Sequence, residues 1–218
     1  MIYDIFIKND AWRTILKGLS TTLEISLLAL ILGTIFGAVV CFMRMNNSKI
    51  LKLPAQVYIS ILRGSPVLMI LMLLFYGVFA ESDLSPVTVA VITFSMHTSA
   101  HVAELLRSSI SATDKNQVKA ARALGFSKIQ AFKLITLPQM TKIAKPVYQS
   151  TVVNLIQWTS VAGYVTITDL TRVINNIAAR TMQPMITIIG GLIIYLVISY
   201  LVYGIFALTD KRGSKNKF

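Results

Sequence analysis

The sequence predicts an all-α integral membrane protein with five transmembrane helices, an N-terminal interfacial helix and a cytoplasmic helical connection. Of the 218 residues, 55% are hydrophobic and only 14% are charged, and the mean hydropathy is +0.67. A soluble domain of this length does not need so much apolar surface. The net charge of +12 fits cytoplasmic loops rich in Lys and Arg, so it does not by itself indicate nucleic acid as a partner.

The N-terminal residues 1–16 mix apolar and polar side chains at helical spacing, which predicts a short helix lying in the membrane interface. Asp4 and Asp10 interrupt any apolar core, so this stretch does not resemble a removable signal peptide. Cys41 is the single cysteine. An intrachain disulfide is therefore excluded.

Five stretches approach the roughly 20 mostly apolar residues that cross a bilayer. We predict these spans at about 25–43, 55–80, 87–106, 146–165 and 185–208. The second is interrupted at Arg63-Gly64-Ser65-Pro66, and the fourth is the most polar. The spans and their connections form one transmembrane domain over residues 17–209, and a basic tail follows over 210–218.

The distribution of positive charge predicts the orientation. Fifteen Lys and Arg residues lie in the segments after the first, third and fifth spans, against five on the opposite side. Because cytoplasmic loops carry the excess of positive charge, the N-terminus is expected outside and the C-terminus in the cytoplasm.

The longest predicted cytoplasmic connection contains two short helices. Asp114 is placed to cap the first, with Gln117 as its reciprocal partner three residues later. Gly125 stands where that helix would end in a left-handed residue. Ser127 is placed to cap the second helix. Pro138 is expected to end it, with the preceding residue in extended geometry.

This helical hairpin, residues 114–138, has two interpretations. It could lie on anionic lipid headgroups. Alternatively, it could be a rigid element that docks into a groove of a partner protein. Ala120, Ala121 and Ala123 favour docking, since alanine contributes little to membrane binding but lets a partner's backbone approach closely.

The hairpin also carries a family resemblance. The stretch NQVKAARALGFSKIQAFKLITLPQM resembles the cytoplasmic EAA loop of type I ABC importer permeases. The positions that match the family pattern are Ala120, Ala121, Gly125, Leu137 and Pro138. Two positions depart from it, because Lys119 replaces the usual Glu and Asn116 a common Gly. The sequences GLSTTLEIS, RGSP and AELLR resemble motifs of the polar amino acid uptake branch.

The resemblance implies a mechanism and a set of partners. The first hairpin helix would be a coupling helix bound by a separate ATPase subunit, which would carry the ATP and Mg²⁺. A second permease subunit and an extracytoplasmic solute-binding protein would complete the assembly in the bacterial cytoplasmic membrane. The implied ATPase-coupling residues are Lys119, Ala120, Ala121, Ala123, Leu124 and Gly125.

The polar residues of the fourth span cannot face lipid cheaply, so they are expected to line a translocation pathway or to bond to neighbouring helices. The predicted pathway residues, with one from the second span, are Arg63, Thr151, Asn154, Gln157, Trp158, Thr159 and Ser160. Trp158 and Thr151 stand where similar carriers of cationic amino acids often have acidic residues. The resemblance therefore implies a polar or zwitterionic substrate.

Other polar residues of the spans have simpler explanations. Glu104 and Arg107 are three residues apart and are expected to form an ion pair. His97 and His101 lie one turn apart and are expected to be buried and hydrogen-bonded, although proton sensing is an alternative. Arg63 would hold an ion pair or a carbonyl near the helix break, or contact a substrate carboxylate.

Gly33 and Gly37 form a G-x-x-x-G pattern, which permits close contact between two helices. The contact could lie within one subunit or at a dimer seam. The sequence alone leaves both open.

No P-loop, nucleophile elbow or metal-ligand spacing occurs in the sequence, so an enzyme with its own cofactor is not expected. The alternatives to an ABC permease are an ion-coupled secondary transporter and a non-transporting membrane assembly subunit. The first usually has more spans, internal repeats and intramembrane carboxylates. The second would not need the polar fourth span.

Overall fold

The computed structural model describes residues 10–215, and for residues 210–215 it describes the backbone alone. Between residues 10 and 215 the chain forms helices joined by short turns, without strands. Residues 1–9 of the predicted interfacial helix and the side chains of the predicted basic tail lie outside the described residues.

The first helix, α1, spans Ala11–Met45 without a break. Residues 11–16 of the predicted interfacial segment therefore belong to this helix. In the polar segment that follows, Thr21 and Ser26 donate their hydroxyls to carbonyls one turn earlier, so these polar groups are satisfied within the helix. Gly18 allows α1 to approach Val173, whose Cγ2 would lie 2.8 Å from an added Cβ.

The predicted second span is a pair of helices rather than one straight crossing. Helix α2, Lys49–Gly64, is followed by α3, Val67–Leu73, which continues as the π-helical turn Leu74–Val78. The two helices are bent by 108°. Pro66 explains the break, since it disfavours helical geometry at the preceding residue.

Helix α4, Pro86–Ser111, is the central element of the fold and packs along α1. A Cβ added at Gly33 would lie 2.8 Å from Thr98 Cβ, and one at Gly37 would lie 2.7 Å from Val102 Cβ. The G-x-x-x-G pattern is thus used within the chain, for the closest approach of α1 to α4.

The hairpin contains α5, Lys115–Ala123, and α6, Lys128–Ala131, which continues as the π-helical turn Phe132–Thr136. The chain then enters α7, Leu137–Trp158, without leaving helical geometry. The expected stop at Pro138 is wrong. Proline lies in the first turn of α7, where the widened π-helical turn before it has already interrupted the regular hydrogen-bond ladder.

After α7 the chain forms the 3-10 helix Thr159–Val165, then α8, Leu170–Thr181, and α9, Pro184–Lys215. Helix α8 packs on α1 and α9 and is absent from the sequence prediction. Within the described residues, α1, α4 and α9 are long and apolar enough to cross a membrane, and the bent pair α2–α3 is a fourth candidate.

Candidate functional site

The polar side chains of α7 divide between two sides of the helix. Ser150, Asn154 and Gln157 are exposed and recur at steps of four and three residues, so they form one line, the polar stripe. The amides of Asn154 and Gln157 form no hydrogen bond with any described side chain. Unpaired amides are costly in hydrocarbon, so contact with lipid is unfavourable for this stripe.

Two other predicted pathway residues point into the chain. Thr151 and Thr159 are 7% and 0% exposed. Their hydroxyls donate to carbonyls of their own helix, at 2.9 Å to Val147 and 2.7 Å to Ile156. They therefore satisfy their polar groups internally and lie away from the polar stripe.

Trp158 adjoins the stripe and belongs to a cluster of three rings. Its ring centroid lies 4.5 Å from that of His97 and 4.9 Å from that of His101, and the two imidazoles are 5.0 Å apart. His97 is buried, and its Nδ1 has no hydrogen-bond partner among the described residues. The histidines expected to be hydrogen-bonded are thus mainly packed on an indole.

Arg63 and Ser160 flank this region. Arg63 is exposed in the last turn of α2, close enough to His101 for its charge to act on that ring. Ser160 lines a cavity of about 170 Å³ beside the 3-10 helix. The other lining residues of this cavity are Gly163, Tyr164, Thr171, Arg172 and Asn175.

The hairpin's first helix is fixed at both ends by local hydrogen bonds. The Asp114 carboxylate accepts from the Asn116 N–H at 2.9 Å and caps α5, as predicted. The predicted reciprocal bond from Gln117 is wrong, because the Asp114 N–H donates instead to Gln139, at the start of α7. At the other end, Gly125 adopts a φ of 90°.

The turn at Gly125 closes α5 with two backbone bonds. The N–H of Phe126 donates to Ala121 at 3.1 Å, and that of Gly125 donates to Arg122 at 3.2 Å. This pair of bonds is a Schellman motif, which requires a left-handed residue at Gly125. The next helix begins with the predicted capping box, in which Ser127 and Gln130 bond each other's N–H groups.

The hairpin's outer surface differs from the predicted small-residue face. Lys119, Ala120, Ala123 and Gly125 are exposed, and Leu124 is 79% exposed. Ala121 is only 6% exposed and packs inward. The exposed end of the hairpin is therefore an apolar tip at Leu124 with Ala120 and Ala123 exposed beside it, while Ala121 is buried.

An apolar cleft of about 300 Å³ lies between the two parts of the hairpin. Its lining residues are Gln117, Ala120, Ala121, Leu124, Phe126, Ala131, Leu134 and Ile135. Ile129, 69% exposed, extends the apolar surface next to the cleft. Exposed apolar surface of this kind typically marks a contact with a protein or a membrane.

A charge cluster joins α1 to the end of α4. Arg107 Nη2 lies 2.6 Å from Glu104 Oε1, which confirms the predicted ion pair. Arg44, from the end of α1, lies 3.4 Å from the other oxygen of Glu104. The sequence prediction missed Arg44 because the contact depends on how the two helices pack.

The sequence analysis also missed Asp169. This carboxylate is fully buried and caps α8, accepting from the N–H groups of Thr171 and Arg172 at 3.1 Å each. Burial raises the pKa of the Asp169 carboxyl, and the two N–H bonds oppose that rise. The available signal was an acidic residue immediately before the amphipathic stretch that forms α8.

The family is decided by a match of residues 29–215 to the model of the binding-protein-dependent transport system inner membrane component. The chain belongs to this family. It is a transport permease component rather than an enzyme, and the family implies separate ATPase and substrate-binding partners. Membership decides against the ion-coupled carrier and the assembly subunit.

Individual members of the permease family are similar over nearly the whole chain. The probable amino-acid ABC transporter permease protein YckA of Bacillus subtilis is 34% identical. The match covers 89% of this chain and 86% of the YckA chain. The L-cystine transport system permease protein TcyL of the same organism is 30% identical, covering 99% and 93%. A crystal structure of an amino acid ABC transporter with histidines matches with a TM-score of 0.83 and 29% identity, covering 92% and 94%.

Proposed function

We propose that this permease moves a polar amino acid across the bacterial cytoplasmic membrane, along a pathway to which the polar stripe contributes. The observation that carries the proposal is the exposure of Ser150, Asn154 and Gln157 on one side of a helix in an otherwise apolar protein. The names of the similar permeases, which refer to amino acids and to L-cystine, support the substrate class.

In this proposal the chain crosses the membrane five times, through α1, the bent pair α2–α3, α4, α7 and α9. The excess of positive charge supports an N-terminus outside and a C-terminus in the cytoplasm. The same bias assigns the hairpin to the cytoplasmic side.

A second permease subunit covers the stripe. One chain cannot enclose a pathway while its polar stripe remains exposed on the outside of its own fold. A two-fold pair, with an identical or a related chain, would place two such stripes opposite each other. The second chain then provides the polar stripe with hydrogen-bonding partners, which hydrocarbon does not offer.

The substrate is expected to be polar or zwitterionic. Neither Trp158 nor Thr151 offers a carboxylate to a cationic side chain. Arg63, exposed beside the ring cluster, is available to a substrate carboxylate.

An ATP-binding-cassette subunit, holding ATP and Mg²⁺, docks on the exposed tip of the hairpin around Leu124. Lys119 is exposed, as is Leu124 at this tip. It would contact the ATPase where related permeases present Glu. Closure of the ATPase favours one of two arrangements of the helices, so the pathway opens alternately to the inside and to the outside. A solute-binding protein delivers the amino acid from outside.

Single cysteines test the pathway. Asn154→Cys and Gln157→Cys, in the complex in proteoliposomes, should react with a membrane-impermeant maleimide. Val197→Cys, on the exposed apolar surface of α9, is the lipid-facing control and should react slowly. The native Cys41 is 4% exposed and gives the background.

Radiolabelled L-cystine and a panel of polar amino acids would then be tested for uptake and for protection of the two cysteines. ATP-dependent uptake of one amino acid, with protection by that amino acid alone, supports the proposal. Unreactive cysteines at both positions with and without ATP would assign the stripe to protein packing instead.

A further inference from the structure

Gln139 connects α7 to the start of α5. The backbone joins these two helices only through the turns of the hairpin. Its side chain lies in the first turn of α7, half-buried. Its Oε1 accepts from the backbone N–H of Asp114 at 3.0 Å, and its Nε2 donates to Oε1 of Gln117 at 2.8 Å. One side chain thus binds both the residue before α5 and the first turn of α5.

The backbone route from α5 to α7 departs from regular α-helix at two places. The first is the turn at Gly125, where an added Cβ would have no atom within 4 Å. The second is the π-helical turn Phe132–Thr136, and such turns are frequent where helices adjust at functional sites. A displacement of α5 could be absorbed at either place before it reaches α7.

The Gln139 link bypasses both of these places. Its bonds reach the N-terminal end of α5, and Gln139 itself lies on the helix that carries the polar stripe, with Pro146 between Gln139 and the stripe. A displacement of the start of α5 is therefore passed directly to the helix that carries Asn154 and Gln157.

We propose that Gln139 is a positioning residue that transmits movement of the ATPase-bound hairpin to the pathway helix. The inference rests on the proposed function, because it requires an ATPase on the hairpin and a pathway along the stripe. Both hydrogen bonds are exposed to solvent, so they add little to the stability of the fold.

Gln139→Met tests the link, since methionine keeps the length of the side chain and removes both bonds. The reporter is Asn154→Cys in the complex with its ATPase. The rate at which an impermeant maleimide labels this cysteine is measured once in the presence of ATP and vanadate and once in their absence. With Gln139 intact, nucleotide should change the labelling rate. We expect Gln139→Met to reduce that change on the order of tenfold, while ATP hydrolysis stays within about twofold of the reference.

Three further variants separate transmission from folding and docking. Thr141→Val is the matched control, because this exposed hydroxyl bonds only within its own turn of α7, to Pro138 at 3.0 Å. It should leave the labelling change intact. Gln139→Glu should retain much of the change, since its carboxylate can accept from both the Asp114 N–H and a reoriented Gln117 amide. Gln117→Met should have a smaller effect and add little in combination with Gln139→Met.

The outcomes distinguish this inference from the proposed function. If the reference complex shows no nucleotide-dependent labelling, the proposed function fails. If the reference responds and Gln139→Met responds equally, the inference is overturned. It is also overturned if Gln139→Met loses hydrolysis and labelling change in parallel, because Gln139 would then act in docking of the ATPase.

Discussion

The close packing of α1 on α4 predicts a large penalty for one methyl group at Gly37. A Cβ at this position would lie 2.7 Å from Val102 Cβ and 2.9 Å from the Ser99 carbonyl oxygen. The first distance is about 0.7 Å short of an ordinary van der Waals contact. Neither atom is the end of a flexible chain, so the two helices must move apart.

Overpacking of this kind typically costs about 1–3 kcal/mol. Alanine recovers up to about 1 kcal/mol of that through its higher helix propensity. Gly37→Ala is therefore expected to destabilise the protein by up to about 2 kcal/mol, which corresponds to a fall of up to roughly 8 °C in melting temperature. The assay is thermal unfolding of the detergent-purified protein, followed by size-exclusion chromatography after heating.

Gly204→Ala is the matched control within a membrane helix. No atom lies within 4 Å of a Cβ built at this position, so the melting temperature should stay the same or rise. Equal melting temperatures for Gly37→Ala and Gly204→Ala would refute the claim that this G-x-x-x-G glycine is needed for packing within the chain.

Three further predictions concern the turn, the charge cluster and the buried carboxyl. At Gly125, Asn should preserve nucleotide-dependent labelling of the pathway better than Val, because the left-handed φ of 90° tolerates Asn but strains a β-branched residue; equal effects would contradict this reasoning. Glu104→Gln should lower the melting temperature more than Asp10→Asn, since Glu104 lies between two arginines and Asp10 is exposed; the reverse order would contradict it. Asp169 has a raised pKa, so the wild type should lose stability as pH rises from its unfolded towards its folded pKa, and its melting temperature relative to that of Asp169→Asn should fall over that window; a difference independent of pH would contradict it.

Features encoded by neighbouring residues could be predicted from the sequence. The cap at Asp114, the glycine end of α5 and the Ser127 capping box depend on residues within one or two turns, and the structure contains all three. The break at Pro66 was visible as well, but its angle of 108° was not, because the angle depends on what α2 and α3 pack against.

Contacts between distant residues could not be predicted in the same way. Gln139 lies 22 residues from Gln117, and nothing near it in the sequence indicates that it replaces the expected cap partner. The opposite burial of Thr151 and Asn154 also depends on how α7 is rotated against its neighbours. Composition identified a polar helix, but only packing shows which of its sides is left exposed.

Photo-crosslinking from the hairpin to the ATPase subunit tests most directly whether the ATPase docks on the hairpin. A photoreactive amino acid at Leu124, a large apolar residue that is 79% exposed at the hairpin tip, would be compared with one at Glu81, in the exposed connection between α3 and α4. We expect irradiation of the intact complex to link Leu124, but not Glu81, to the ATPase subunit. Capture of the ATPase from Glu81, or its absence from the products formed at Leu124, would contradict docking of the ATPase on the hairpin.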